Sequence, residues 1–576
     1  MKYQSEREML AKTVLKDGDC TSIRDMLNRI KKYFPANNIL AELDDNNEIV
    51  YYSVNDVYEE VMNLGDGLVD SGFSGAHIAI VSDNCYRYII ADMTISSGVG
   101  VVTPIDVNAP DALLAMLLAK CDATAVFCST EQLPRLQKIA SESSMLKHVF
   151  TIDKKVEGVP FYNEFVERGK ALGNNGKYRN MELDLDAPAK ILFTSGTTGA
   201  NKGVVLSNAN LAANMTNCQD AIRSLPHYTS MSVLPMHHAT EINTHIMTRI
   251  AGGRLTYINN NMRYMMKNIK IFKPDLITVV PMIANAFYKN IQAGVRKQGK
   301  EEKLAKGIRI SNFLRKLGID KTHSMFKDLF APFGGNLRVI VCGGSMLNPV
   351  VIKGMSDLGM TMENGYGITE CGPLISINGD TLNEHLSVGY PCPGIKVKIA
   401  NPDENGVGDL CVKGKSVFKE YYKDPEATAA VFDSEGYFNT GDSARIDSKG
   451  RIFLSGRKKN TIVLESGKNI CPEEVENVIE ANMDYADEIV VYQAEMTAGN
   501  VVRHVICAGI FIRDEEIRAN KEQIKADIEK INVLLPDYKR IEFLELPQQE
   551  YEKTSSRKIK RAELPGTCSC DGIIIM

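Results

Sequence analysis

The stretch ILFTSGTTGANKGVVLS, Ile191 to Ser207, sets two short apolar runs, Ile191 to Phe193 and Val204 to Leu206, on either side of ten residues drawn almost wholly from Ser, Thr and Gly, with one lysine, Lys202. This reads as strand, loop, strand. A loop of small residues lets consecutive backbone N–H groups close on an anion; the hydroxyls of Thr194, Ser195, Thr197 and Thr198 add donors, and Lys202 adds positive charge. Triphosphate is the natural guest. The common phosphate loop GxxxxGK[ST], which leads from a strand into a helix, is a different pattern: here Gly196 to Gly199 is followed by Ala200, Asn201, Lys202 and Gly203 and then a second strand. Taken alone, the same composition also suits a solvent-exposed surface hairpin.

Outward from this loop the chain alternates strand and helix. HIAIVSD (His77 to Asp83), ATAVFCS (Ala123 to Ser129), LITVVP (Leu276 to Pro281) and LRVIVCGG (Leu337 to Gly344) are short β-branched runs ending in turn residues. Helical stretches with apolar residues three and four apart separate them, so an α/β fold with largely parallel strands is expected. After Gly436 the chain turns dense in glycine and charge, which suits short hairpin strands. CPEEVENVIEANMD then begins a helix with Pro472 at its first position, acids in the first turn, and Val475, Val478 and Ile479 on one face.

At 576 residues the chain exceeds what one core usually organises. We expect a large N-terminal domain, 1–457, of mixed sheets with flanking helices, and a small α+β C-terminal domain, 458–576; the family resemblance carried by the motifs below implies that the second is mobile about a hinge near Lys459. The 44% hydrophobic and 24% charged shares are those of an ordinary globular protein. A formal net charge of −5 argues against a dedicated nucleic-acid binder. Thirteen scattered cysteines read as free thiols of a reducing cytosol. Neither an apolar signal segment nor a membrane-spanning run is evident, so a cytoplasmic protein is expected.

Further motifs follow in order. TSGTTGANKG resembles the phosphate-loop signature of the adenylate-forming superfamily, which includes acyl-CoA synthetases, luciferases and peptide synthetase adenylation domains. NGYGITE (Asn364 to Glu370) is similar to its second signature, YFNTGD (Tyr437 to Asp442) to its third, GRKKNTIVLESGKNICPEEVE (Gly456 to Glu476) to its hinge segment, and YEKTSSRKIKR (Tyr551 to Arg561) to its closing lysine motif.

The resemblance implies joining a carboxylate to the α-phosphate of ATP, which brings two anions to bonding distance and so requires positive charge and aimed donors. It implies that Thr194 and Glu370 hold Mg²⁺, that Ser195, Gly196, Thr197, Thr198, Gly199 and Lys202 steady the outer phosphates, and that Thr369 meets the α-phosphate. Adenine would lie against Tyr366 of Asn364, Gly365, Tyr366 and Gly367, with Gly343, Gly344 and Ser345 opposite. Asp442 would accept the ribose hydroxyls, Arg457 would support ribose or phosphate, and Lys558 would bridge the two substrates as a mobile charge. Singly, Tyr366 also reads as a packing tyrosine, Asp442 as a turn former and Lys558 as a solvated lysine. The chain departs from the family pattern at Asn201, where proline usually precedes the loop lysine, and at Arg557, where glycine usually precedes the closing lysine.

LPMHHATEINTHIM (Leu234 to Met247) resembles the acyl-pocket segment of long-chain fatty acyl-CoA synthetases, with no early aspartate of the kind that pairs a substrate ammonium. His237 and His238 are either substrate contacts or hydrogen-bonded helix-start residues. The expected activity is activation of a medium- to long-chain fatty acid with ATP and Mg²⁺, pyrophosphate release, and thioester formation with coenzyme A through the ESGKN loop, Glu465 to Asn469. The alternatives are loading of the phosphopantetheine of a separate acyl carrier protein, or a non-catalytic nucleotide- or lipid-binding relative. Residues 296–327 carry ten Lys/Arg, with Leu304, Ile308, Phe313, Leu314 and Leu317 available for an apolar face. The segment reads either as a solvated helix packed on its own domain or as a contact with anionic membrane.

Overall fold

The computed structural model describes residues 20–194, 201–221, 227–345, 347–378, 387–464, 469–483, 485–498, 501–553 and 559–575. The chain forms two compact units, one of residues 1–347, 352–397 and 412–438, the other of residues 348–351, 398–411 and 439–576.

The larger unit holds two mixed sheets. In a nine-stranded sheet, Ser230–Ser232, Leu276–Val279, Val339–Cys342 and Thr361–Gly367 run parallel, and the direction reverses at Leu374–Asn378. In a seven-stranded sheet, Gly100–Pro104, Ala76–Val81, Ala125–Cys128 and His148–Thr151 run parallel. On the far side of Gly100–Pro104 sits the antiparallel hairpin of Pro188–Thr194 and Lys202–Ser207, edged by the two-residue strand Glu420–Tyr421. Every residue of Ala125–Cys128, Leu276–Val279 and Val339–Cys342 is buried. Strands covered by helices on both faces read as unbroken apolar runs rather than as alternation, which is why these segments stand out in the sequence.

Helix Asp111–Lys120 caps one side of the seven-stranded sheet, with an acid in its first turn and a lysine in its last, matching the helix dipole. Its Leu114, Leu117 and Leu118 pack with Ala79, Val126, Leu136, Ile191 and Val205. Each such fully buried aliphatic side chain contributes about 1.5–3 kcal/mol. The hairpin of Pro188–Thr194 and Lys202–Ser207 is therefore anchored in this core through Ile191 and Val205.

Helix Glu301–Lys316 is attached to the larger unit by polar groups. Ser311 bonds Thr322 at 2.8 Å, Asn312 donates to Asp357 at 3.0 Å, and Arg315 donates to the Ser356 carbonyl at 3.1 Å. The five apolar residues do not share one fate: Phe313 and Leu317 are 62% and 61% exposed, whereas Leu304, Ile308 and Leu314 are partly covered.

In the smaller unit, strands Glu488–Ala498 and Val501–Phe511 pair antiparallel, with Phe543–Glu545 parallel to the second. Helices Pro472–Asn482 and Lys521–Leu534 bury Val475, Ile479, Ile524, Ile528 and Ile531 against Val491, Ile506 and Ala508. Pro472 occupies the first turn, where its missing N–H has no intrahelical partner to lose.

Candidate active site

In the larger unit the hairpin register places Thr194 directly opposite Lys202. Ser195, Gly196, Thr197, Thr198 and Gly199 lie outside the described residues. At the departure from the family pattern, the Asn201 carbonyl accepts from the Lys120 ammonium at 2.5 Å, so a tertiary contact supports the position where proline is usual.

Glu370 sits in the short turn Thr369–Cys371, its carbonyl accepting from the Phe418 N–H at 2.7 Å. The link between Glu370 and the hairpin is Tyr421. Glu420 and Tyr421 pair antiparallel with Val205 and Val204, and the Tyr422 N–H donates to the Gly203 carbonyl at 2.7 Å. The Tyr421 hydroxyl donates to Glu370 Oε1 at 2.9 Å, while its ring lies under the Lys202 ammonium, 4.7 Å from the centroid. Burial, and then the Glu370 carboxylate, push the Tyr421 hydroxyl well above its ordinary range, so it remains a donor. Thr194, Lys202 and Glu370 are thereby gathered on one corner of the unit. Sequence reasoning missed Tyr421, which stands in the mixed aromatic and charged stretch Phe418 to Lys423 with no periodicity to mark it.

Gly343, Gly344 and Ser345 follow strand Val339–Cys342, and Asn364 to Gly367 end the neighbouring parallel strand, Asn364 facing Cys342. This is the carboxyl edge of a parallel sheet, where α/β folds place ligands. Two glycines are sterically required. A Cβ on Gly367 would stand 2.1 Å from the Pro373 carbonyl oxygen, and Gly344 has φ +91°. Tyr366 and Asn364 are both buried.

Beneath the hairpin lies a second lysine. Lys190 donates to Asp92 at 2.7 Å and to Asn243 at 2.8 Å, with Lys190 and Asp92 wholly buried. Asn243 belongs to the π-helical segment Thr240–Ile246, in which Glu241 and His245 pair at 3.1 Å. Just before it, the His237 and His238 rings lie 4.1 Å apart at 50°. Burial first, and His238 second, push His237 down to about 3, so it is neutral at ordinary pH.

In the smaller unit Asp442 faces Arg457 across the hairpin of Phe438–Ile446 and Ile452–Arg457, with Oδ1 3.0 Å from Nε. Lys458 pairs with Asp409 at 2.9 Å. Burial, and then Arg457 and Arg561, lower the Lys459 ammonium. Lys558 and the residues Glu465 to Lys468 lie outside the described residues. Both flanks of the lysine motif are anchored: Lys553 pairs with Glu488, and Arg561 reaches Glu476 at 2.5 Å and the Val491 carbonyl at 2.8 Å. The part of Arg561 as an anchor also escaped sequence reasoning.

Among the described residues no group of three or more His, Cys, Asp or Glu side chains is gathered as a metal cage. One carboxylate together with substrate phosphates is the usual setting of Mg²⁺, and Glu370, with one oxygen taken by Tyr421, fits that role.

Residues 35–422 match the family described as AMP-binding enzyme. The chain belongs to that family. Among relatives of this AMP-binding enzyme, the peroxisomal long chain acyl-CoA synthetase 6 of Arabidopsis thaliana is 30% identical over 453 residues, covering 72% of this chain and 63% of the relative. The long-chain-fatty-acid–CoA ligase 5 of Rattus norvegicus is 28% identical, covering 74% and 67%. A chloroplastic long-chain-fatty-acid–[acyl-carrier-protein] ligase of Arabidopsis thaliana is 26% identical, covering 77% and 71%. The chain thus spans about two thirds of the length of the long-chain relatives it matches. The fold is that of solved adenylation enzymes. The adenylation domain of a carboxylate reductase from Mycobacterium chelonae superposes with TM-score 0.77 at 18% identity, over 98% of this chain and 95% of that one. ATP-bound MatB from Rhodopseudomonas palustris gives 0.72 at 18%, over 93% and 97%. Among the described residues no helix is long and apolar enough to cross a membrane.

Proposed function

We propose that this chain is an acid–thiol ligase that activates a medium- to long-chain fatty acid with ATP, releases pyrophosphate, and passes the acyl group to coenzyme A. The observation that carries the reading is the Tyr421 bracket, which ties Glu370 and Lys202 to one corner beside Thr194. Two anions can react only where fixed positive charge and donors offset their repulsion. Thr194 and Glu370 would hold Mg²⁺, which supplies charge neutralisation on the phosphates. Lys202 and the loop donors Ser195 to Gly199 steady the outer phosphates, and Thr369 meets the inner one. Tyr366, Asn364 and the Gly343 to Ser345 turn receive adenine. Asp442 accepts from the ribose hydroxyls, with Arg457 orienting it.

Lys558 bridges carboxylate and phosphate in the first half-reaction. A domain of residues 458–576, turning about Lys459, then withdraws Lys558 and presents the ESGKN loop to the thiol, which keeps two incompatible geometries apart in time. His237, partly buried and neutral at ordinary pH, with His238 beside it, suits an apolar acyl chain rather than an ammonium substrate. A second acceptor, the phosphopantetheine of an acyl carrier protein, is favoured by the likeness to the carrier-protein ligase. Pyrophosphate release across a panel of carboxylic acids tests the first half. Release with fatty acids, lost in Lys558→Ala, supports the reading; a purified protein that releases none with any acid of the panel refutes it.

We place the protein in the cytoplasm with a peripheral membrane contact. Helix Glu301–Lys316 turns Ile310, Phe313 and Leu317 outward among Lys303, Lys306, Arg309 and Lys316, the pattern of a helix that lies on anionic lipid. Sedimentation with anionic liposomes is expected to pellet the protein, and Phe313→Ser/Leu317→Ser to leave it in the supernatant. Equal recovery of both in the supernatant would discard the contact.

A further inference from the structure

The end of helix Asp111–Lys120 and the turn after it carry two side chains that reach the candidate active site from outside it. The Lys120 ammonium donates to the Asn201 carbonyl at 2.5 Å, one residue before Lys202. Two positions further along the turn, Asp122 accepts from the Tyr422 hydroxyl at 2.6 Å, one residue after Tyr421. Lys202 and Tyr421 are the two members of the cation–ring contact at the mouth of the hairpin. One turn therefore grips both partners of that contact, each through its chain neighbour.

The turn is itself fixed. Cys121 and Ala123 are buried in the core that also holds Ile191 and Val205 of the hairpin, and His77 Nδ1 lies 2.7 Å from the Cys121 carbonyl. Asp122 stands at φ +54° and Lys423 at φ +55°, a left-handed conformation in which glycine costs least. Both positions instead keep charged side chains, and these meet at 2.5 Å. Asp122 thus holds Tyr422 and Lys423 together, while the Tyr422 N–H donates to the Gly203 carbonyl at 2.7 Å. On the other arm, the bond from Lys120 is charge-assisted and so stronger than one between neutral groups. Asn201 stands where the family pattern has proline, and without that ring its φ is not fixed by the residue itself.

We infer that Lys120 and Asp122 are positioning residues for phosphate binding: they brace Lys202 and Tyr421 from the helix side, and Lys120 supplies at Asn201 the rigidity that a proline would supply. The inference rests on the ligase reading above and adds to it two residues that touch no substrate. A cation held in place before the ligand arrives binds it more tightly, because no ordering cost falls due on binding. Calorimetric affinity for ATP with Mg²⁺ is compared among the wild type, Lys120→Met, Lys120→Arg, Lys120→Met/Asn201→Pro, Asp122→Gly and Tyr422→Phe, beside KM for fatty acid and the melting temperature.

Lys120→Met is expected to lose about tenfold in ATP affinity, with KM for fatty acid within about twofold of wild type and a melting temperature only a few degrees lower. Lys120→Arg should stay within about threefold of wild type. Adding Asn201→Pro to Lys120→Met should recover most of the loss, which proline does by stiffening the chain and not by restoring charge. Asp122→Gly removes an anion, so charge alone would tighten ATP, whereas the brace predicts weakening of about threefold or more. Tyr422→Phe, with no change of charge, should weaken ATP as well. Wild-type affinity in Lys120→Met, no recovery on adding Asn201→Pro, tighter binding by Asp122→Gly, or no ATP binding by the wild type would each overturn the inference. So would equal losses for ATP and fatty acid with a large fall in melting temperature, the mark of general damage to the fold. Should Lys120→Met fail to fold, Tyr422→Phe carries the comparison, and wild-type affinity in it overturns the brace. Absence of pyrophosphate release by the wild type with every acid tried would instead overturn the ligase reading, and the calorimetry still decides the brace.

Discussion

The hairpin of Pro188–Thr194 and Lys202–Ser207 carries two lysines with opposite treatment. Lys190, on its floor, is removed from water and held by Asp92 and Asn243. Lys202, at its mouth, is half-buried and rests on the face of Tyr421, whose hydroxyl is spent on Glu370. A buried charge must be paired, because desolvation without a partner costs several kcal/mol. A charge kept for a ligand must be positioned without being neutralised, and an aromatic face does that: it attracts a cation weakly and offers it no anion. Under the proposed function the floor is architecture and the mouth is chemistry.

Breaking the floor should produce the largest effect. Lys190→Met leaves Asp92 buried without its ammonium, and about 3–5 kcal/mol of stability is expected to be lost in denaturant unfolding. Burial already raises the Asp92 carboxyl above its ordinary range, with Lys190 opposing the shift. With the lysine gone the folded-state pKa rises further, so stability is lost as pH rises above the unfolded value near 4, at up to about 1.4 kcal/mol per unit, and the deficit of the variant should shrink on acidification. Lys190→Met/Asp92→Leu should recover most of the loss. A deficit that neither acid nor the second substitution reduces would contradict the ion-pair account.

At the mouth, Glu370→Gln is expected to slow adenylate formation by about 10²–10³, roughly 3–4 kcal/mol of transition-state stabilisation, with unfolding free energy within about 1 kcal/mol of wild type. The histidine pair sharpens the contrast between buried and poised groups. His237 has its folded-state pKa depressed to about 3, so its contribution to stability is present above the unfolded value of 6.5 and is lost as pH falls. The slope is up to about 1.4 kcal/mol per unit, and His237→Gln should flatten the stability–pH curve between pH 6.5 and 3. Tyr421→Phe should have the smallest effect. It keeps the ring under Lys202, removes the bond to Glu370, worth about 1–2 kcal/mol, and should raise the Mg²⁺ concentration for half-maximal ATP binding severalfold while lowering the melting temperature by only a few degrees.

Much of this arrangement was legible because it is local. The runs at His77, Ala123, Leu276 and Leu337 became parallel strands, since burial on both faces writes itself as an unbroken apolar stretch. The helix at Pro472 announced its own start through proline and acids. What stayed hidden is tertiary. Lys190 and Asp92 stand 98 residues apart, and Tyr421 reaches Glu370 from 51 residues away through a strand two residues long. No periodicity marks such a strand. Helix Glu301–Lys316 shows the same limit in another form: spacing groups Leu304, Ile308, Phe313, Leu314 and Leu317, but hydrogen bonds from Ser311, Asn312 and Arg315 fix the side that meets the protein, which leaves Phe313 and Leu317 outside. A helical wheel locates the apolar residues without saying which side meets the protein.

The most direct test sets the two lysines side by side in fatty-acid-dependent ATP–pyrophosphate exchange, with Lys202→Met against Lys190→Met/Asp92→Leu. The account predicts that the first variant melts like wild type and exchanges at least about tenfold more slowly, while the second, altered only in the floor, exchanges at close to the wild-type rate. Wild-type exchange in Lys202→Met would contradict it.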